Sequence, residues 1–210
     1  MADDISALKS IIPVSRETGE RLWAFVALLR KWQPAENLIS PGTLEQIWSR
    51  HVADSAQLVP LFPGTRRWLD IGTGAGFPGL VVAVLDGRNH VDLMESNRRK
   101  CAFLRQVIRE TGADATVHEG RAEELLPGWS APVDRIVARA VAPLTRLFEL
   151  VEPLMTAGVP AAFHKGTDFR MEIDAARKVW EFVVAVRPSR VGAGGAILDI
   201  SALRRTSESG

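Results

Sequence analysis

From Arg67 onward the chain alternates short apolar runs with helical ones, and the first apolar run feeds a loop crowded with glycine. The stretch reads Trp68-Leu69-Asp70-Ile71-Gly72-Thr73-Gly74-Ala75-Gly76-Phe77-Pro78-Gly79. Glycine permits a turn that side chains block, and it lets backbone N–H groups approach a ligand at a helix N-terminus. Each glycine also costs about 0.5–1 kcal/mol in conformational entropy, so a cluster of them implies that something requires it. Pro78 suits the first turn of the following helix, where a missing N–H is harmless. Together these features predict a cradle for a nucleotide-type cofactor.

Which cofactor is not settled by the glycines alone. Gly74, Gly76 and Gly79 match G-x-G-x-x-G, and Glu95 closes the next apolar run, Val91 to Met94, as in a dinucleotide fold. Asp70, two residues before Gly72, makes the pattern D-x-G-x-G-x-G, which resembles the first motif of S-adenosylmethionine-dependent methyltransferases. An NAD-dependent oxidoreductase remains the alternative, as does a cofactor-dependent RNA-binding module without catalysis.

The remaining pattern suits one main α/β domain in 210 residues. Strands are predicted at 68–71, 90–94, 115–118, 135–138 and 159–163, with helices at 78–85, 97–111 and 144–155 between them. Two more strands, 180–186 and 196–203, flank the turn Gly192 to Gly195. An open, mostly parallel sheet ending in such an antiparallel hairpin resembles the Rossmann-like class I methyltransferase fold. Ahead of it, Leu22, Phe25, Val26 and Leu29 predict a helix over 15–32, and a Thr43–Gln46 capping box predicts a second helix burying Leu44, Ile47, Trp48 and Val52. The expected organisation is a helical extension (1–64), the cofactor domain (65–205) and a polar tail (206–210), with fraying from Arg204.

Lys and Arg total 26 against 25 Asp and Glu, so no global charge draws the chain to nucleic acid, and an RNA contact requires a local patch. The acidic start Met1-Ala2-Asp3-Asp4 shows no signal peptide, and no apolar run nears the ~20 residues of a membrane span. A lone Cys101 suits a reducing cytoplasm and reads as packing rather than as a nucleophile. No metal site is expected.

In an open parallel sheet, ligands sit at the carboxyl ends of the strands. Asp70 and the glycines close the first strand. Glu95 closes the second, where its two oxygens suit ribose hydroxyls, or where it caps a helix together with Ser96 and Asn97. Ala122 and Glu123 follow the third and suit an adenine edge, or an acidic helix start. Arg139 ends the fourth in an apolar setting where a lone cation needs an anion, such as the cofactor's carboxylate, guanine O6 or an internal partner. Lys165 ends the fifth, facing RNA phosphate or solvent. Arg98, Arg99 and Lys100 open a helix against its dipole, which predicts an anion opposite, RNA above all, or a solvated charge run. His51 shares a face with Leu44, Ile47 and Trp48, as a core histidine does, and Arg50 with Asp54 suits a helix-surface pair.

The order of these motifs resembles the RsmG family, formerly glucose-inhibited division protein B. The resemblance rests on Asn37-Leu38-Ile39-Ser40, Arg50-His51 with Asp54-Ser55, Asp70 to Gly79, Phe103 to Val107, Arg121-Ala122-Glu123, Arg139-Ala140 and Lys165-Gly166. It implies methyl transfer from S-adenosylmethionine to N7 of a guanosine in the decoding-centre loop of 16S ribosomal RNA; the substrate is RNA or an assembling small subunit, and a monomer is expected. The resemblance implies cofactor contacts at Gly72, Phe77, Ala122, Glu123 and Arg139, and the residues read above add Asp70, Gly74, Gly76, Glu95 and Ser96. Substrate contacts are expected at Asn37, Arg50, His51, Arg98, Arg99, Lys100 and Lys165. Two departures stand out: His164 occupies a position that is usually apolar, and Arg99-Lys100 inverts a usual Lys-Arg order. Guanine N7 already carries a free lone pair, so the absence of an Asn/Asp-Pro-Pro-aromatic motif and of a nucleophilic cysteine agrees with this chemistry.

Overall fold

The computed structural model describes residues 4–191 and 194–206. Its centre is a seven-stranded sheet in the order β3-β2-β1-β4-β5-β7-β6. The strands are β1 (Arg67–Ile71), β2 (His90–Glu95), β3 (Ala115–Glu119), β4 (Arg135–Arg139), β5 (Ala161–Lys165), β6 (Trp180–Pro188) and β7 (Ala196–Arg205). β1 to β5 run parallel, and β7 lies antiparallel between β5 and β6. The central strands are apolar because both faces are covered: Trp68, Leu69, Ile71, Ile136, Val137 and Ala138 are all buried.

The helices are α1 (Ser6–Lys9), α2 (Arg16–Glu36), α3 (Asp54–Ala56), α4 (Leu58–Leu61), α5 (Gly79–Leu85), α6 (Arg98–Thr111), α7 (Ala122–Leu125), α8 (Leu144–Thr156) and α9 (Phe169–Ala176). One face of the sheet shares an apolar cluster with α2, α4, α5 and α6, and the other with α8 and α9. On α6, Cys101, Phe103, Leu104, Val107 and Thr111 form the buried stripe, and each large apolar side chain so buried contributes roughly 1.5–3 kcal/mol. From α2, Arg21 donates to the Thr111 and Gly112 carbonyls at the end of α6, where a cation answers the helix dipole.

The sheet and its crossover helices fall where the sequence places them, and the differences lie mostly outside it. α2 runs through Pro34 to Glu36 instead of stopping at Trp32. Proline there forfeits one bond, and the end is held by Asn37, whose N–H donates to the Gln33 carbonyl from a left-handed conformation. The Thr43–Gln46 capping box does not form. That segment is a 3₁₀ helix (Pro41–Gln46) followed by a π-helix (Trp48–Ala53), with the Thr43 hydroxyl turned to Ser40 and His51 instead. Pro78 precedes α5 as its N-cap, β5 begins at Ala161 rather than at 159, and α9 was not anticipated. Arg204 and Arg205 belong to β7 rather than to a frayed tail. Gly192 and Ala193 of the expected turn, and Ser207 to Gly210 of the expected tail, lie outside the described residues. Among the described residues, no helix is long and apolar enough to cross a membrane.

Candidate functional site: the cleft at the switch point

The chain leaves β1 toward β2 and β3 on one side and builds β4 and β5 on the other. The loops after β1 and β4 therefore part, and a cleft of about 970 Å³ opens over the strand ends. The extension forms its far wall through Leu38, Ile39, Ser40, Thr43, Arg50, His51 and Asp54.

Asp70 supports the glycine loop from beneath. It is fully buried and does not line the cleft. Its Oδ2 accepts from the Thr73 hydroxyl at 2.6 Å and from the Gly79 N–H at 2.8 Å, while Oδ1 is buried without a partner. Burial pushes its carboxyl up to about 7, against the opposing pull of those hydrogen bonds. Gly79 has no room for a side chain, since a Cβ would fall 2.4 Å from Leu93 and 2.7 Å from Asp70. Gly74 differs: its φ is +59°, and a Cβ there would meet nothing nearer than 4.0 Å. A side chain at Gly74 would project into free space at the cleft wall. Gly72, Gly74 and Phe77 line the cleft, whereas Gly76 packs on Leu80.

Glu95 reaches the loop from the end of β2. Its Oε2 accepts from the Gly74 N–H at 3.0 Å and its Oε1 from the Asn97 N–H at 2.7 Å. Each carboxylate oxygen has a second lone pair to offer a ligand hydroxyl. The cap of α6 is Asn97, whose Oδ1 takes the N–H groups of Arg99 and Lys100; Ser96 is exposed and outside the cleft lining. Part of the anion expected opposite the basic turn belongs to the protein itself, since Arg99 pairs with Glu36 at 3.2 Å. Further along α6, Arg105 pairs with Glu119 at 3.0 Å. Lys100 lines the cleft, and Arg98 is exposed with no ion pair among the described residues.

At the end of β4, Arg139 is enclosed rather than free. Its Nη1 donates to the Arg50 carbonyl at 2.9 Å, its Nη2 to His51 Nδ1, and Nη1 stands 3.6 Å from Asp54 Oδ2. The guanidinium also lies over the Phe77 ring, 5.1 Å from its centre. Burial lowers its pKa, with Asp54 and Asp70 opposing. A guanidinium only donates, so His51 Nδ1 must be the acceptor and its Nε2 carries the proton, which it donates to Thr43 Oγ1 at 2.8 Å. Thr43 passes the chain on to the Ser40 carbonyl. Burial and the two neighbouring arginines push His51 down to about 3, so it is neutral at pH 7.

At the end of β5, Lys165 is buried, with 7% of its side chain exposed, and donates to the Ala142 carbonyl at 2.6 Å and to Glu172 at 2.7 Å. The same Glu172 oxygen takes the Leu144 N–H that opens α8. Lys165 lines the cleft and fastens the loop after β4 to α9. Asn37 is an exposed helix end outside the cleft lining, its left-handed φ of 44° explaining the residue type. Ala122 and Glu123 are also outside the lining, and the Glu123 carboxylate pairs with Arg146 at 2.7 Å.

Several contacts that shape the wall were not anticipated. Gln33 clamps the Ile39 peptide through both its side-chain atoms, at 2.7 and 3.0 Å. It continues the Phe25, Val26, Leu29 stripe, and a polar residue in an apolar stripe was the signal that could have found it. Asp54 is held by Gln57 and by Ser189, which lies 135 residues further along the chain. Its backbone carbonyl takes His164 Nε2 at 3.1 Å. Nothing in the local sequence signals these contacts.

The family model described as GidB, rRNA small subunit methyltransferase G, matches residues 18–196. The ribosomal RNA small subunit methyltransferase G of Chelativorans sp. is 47% identical over 209 residues, covering 98% of this chain and 99% of that one. That of Brucella canis is 45% identical over 214 residues, covering 99% and 100%. Among solved structures, the O-methyltransferase of Bacillus cereus in complex with SAH is similar in fold, with a TM-score of 0.57 at 17% identity over 95% of this chain and 96% of that one. The precorrin-6y C5,15-methyltransferase of Geobacter metallireducens is similar at a TM-score of 0.53 and 15% identity, over 80% and 92%. Methyltransferase sheet, glycine loop and near full-length identity agree: this chain belongs to the GidB family of small-subunit rRNA methyltransferases.

Proposed function

We propose that the chain transfers a methyl group from S-adenosylmethionine to N7 of a guanosine in the decoding-centre loop of 16S ribosomal RNA, acting as a cytoplasmic monomer. The observation that carries the reading is the cradle at the switch point, where Gly74 leaves open space before it and donates its N–H to Glu95. S-adenosylmethionine supplies an electrophilic methyl group on a sulfonium. Glu95 is assigned to the ribose hydroxyls, the loop from Gly72 to Phe77 to the body of the cofactor, and the backbone of Ala122 and Glu123 to the adenine edge. Asp70 acts through the loop it supports. Arg50 and Lys100, both on the cleft, and Arg98 beside them, are assigned to phosphates of the RNA.

Guanine N7 attacks as it stands, so alignment rather than proton removal is what the residues must supply. His51 fits that requirement, because both of its nitrogens are engaged in holding Arg139 and Thr43. The test is mass mapping of 16S RNA, from cells with and without the gene and after incubation with purified protein and labelled S-adenosylmethionine. New N7-methylguanosine at one site is the expected outcome. Retention of NAD in place of S-adenosylmethionine, or cofactor binding with unmodified RNA, overturns it.

A further inference from the structure

The loop after β4, residues 140–143, lines the cleft and stands against the glycine loop. A Cβ placed on Gly72 would fall 2.9 Å from Val141 Cγ2, so the two loops meet there with no room to spare. The segment is strained, since Ala140 holds a φ of +55°, a region that a Cβ makes costly. Such strain persists only where the surroundings over-determine it. What fixes this loop lies on α9. One oxygen of Glu172, Oε2, accepts from the Leu144 N–H at 2.6 Å and from Lys165 Nζ at 2.7 Å, and Lys165 donates in turn to the Ala142 carbonyl at 2.6 Å.

These contacts converge on a single carboxylate. A buried ammonium needs an anion, and among the described residues Glu172 is the one ion-pair partner of Lys165. The carboxylate is itself set in place, because Phe169, Ile173 and Ala176 seat α9 in the apolar cluster it shares with α8. Methyl transfer to a free lone pair depends on alignment, and a small displacement of what holds the reactants is enough to slow it. Resting on the guanosine-N7 reading above, we infer that Glu172 is a positioning residue for the transfer. It acts through Lys165 and the start of α8 to hold Val141 against Gly72, and so sets the separation of the two loops between which cofactor and base must align. No contact of Glu172 with either ligand is required.

The experiment compares wild type with Glu172→Ala, Glu172→Gln, Val141→Ala and the Glu172→Ala/Val141→Ala double variant, and takes Met171→Ala, an exposed position on α9, as the control. For each, kcat and KM are measured on small-subunit RNA by mass mapping, with S-adenosylmethionine affinity from calorimetry and melts to fix a temperature at which all are folded. Glu172→Ala is expected to lower kcat roughly 10- to 100-fold, the upper figure being what a misplacement of about 1 Å costs. KM for RNA and cofactor affinity are expected to stay near wild type. Glu172→Gln keeps an acceptor for Leu144 but no charge for Lys165, so its loss is expected to be smaller. Val141→Ala is expected to lower kcat as well, and in the double variant the two losses are expected not to multiply, because both break one device. A wild-type kcat in Glu172→Ala or in Val141→Ala overturns the inference, as does a loss carried by KM or cofactor affinity, or one that multiplies in the double variant. Should Glu172→Ala not fold, Glu172→Gln alone and combined with Val141→Ala decides by the same criteria. A wild-type protein that does not methylate guanosine RNA at all overturns the functional reading beneath, and is distinct from each of these results.

Discussion

The two walls of the cleft are built by different means. On the cofactor wall, β1, the glycine loop and β2 are neighbours in sequence, and their contacts, Thr73 to Asp70, Gly79 to Asp70 and Gly74 to Glu95, span at most 21 residues. The opposite wall is an irregular 3₁₀ and π segment of the extension, pinned to β4, β5 and the β6–β7 connection by contacts 88 to 135 residues apart. A locally encoded turn tolerates little change in backbone but is nearly self-sufficient. A wall assembled from distant pieces depends on each side chain that ties it down, and π-type turns of this kind are frequent at functional sites.

That contrast is broken most severely at Arg139. Arg139→Met leaves His51 Nδ1 and the Arg50 carbonyl without their donor and Asp54 without its ion-pair partner, and breaking a buried pair in this way costs about 3–5 kcal/mol. Urea unfolding is expected to show that loss, and hydrogen exchange to show it concentrated in residues 41–57 rather than in the glycine loop. Uniform weakening of both walls would mean that they are not separate.

On the cofactor wall the corresponding lever is Asp70. Its folded pKa, raised by burial from 3.8 to about 7, lies above its unfolded value. The native state therefore holds this proton more tightly, and the stability it brings is full below pH ~4 and is lost as pH rises through about 7. In Asp70→Asn that dependence is expected to vanish, so the difference between wild-type and variant unfolding midpoints should change across this window and be constant above it. A difference independent of pH would show that Asp70 is ionised throughout.

Glu95→Ala probes ligand binding on the same wall, removing charge-assisted acceptors worth about 1.5–3 kcal/mol. Calorimetry is expected to show S-adenosylmethionine affinity reduced by that amount in a folded protein. The smallest effect belongs to the rim. Replacing Arg98, Arg99 and Lys100 with Gln is expected to spare cofactor affinity and flatten the salt dependence of RNA binding, by a slope of up to ~0.7 per lost contact. Because Arg99 already pairs with Glu36, Arg98 and Lys100 should carry most of the change. A wild-type slope would place the RNA surface elsewhere.

The sequence by itself determined the alternating sheet, the cradle and Glu95, since an apolar run, a glycine cluster and an acidic strand end each act over a few residues. It also exposed the amphipathic stripe of α6, though not that Glu36 answers its basic first turn and Glu119 pairs with Arg105 further along it. Tertiary structure alone decided which cations are free. Lys165 and Arg139 both end strands and look alike in sequence, yet one clamps α9 and the other is shared with the extension. The same holds for Thr43, a helix cap by its spacing and a partner of His51 by its surroundings. The physical reason is that a buried polar group must find a partner wherever the fold supplies one. For Asp54, His164 and Arg139 those partners arrive from strands and loops whose distance along the chain conceals them.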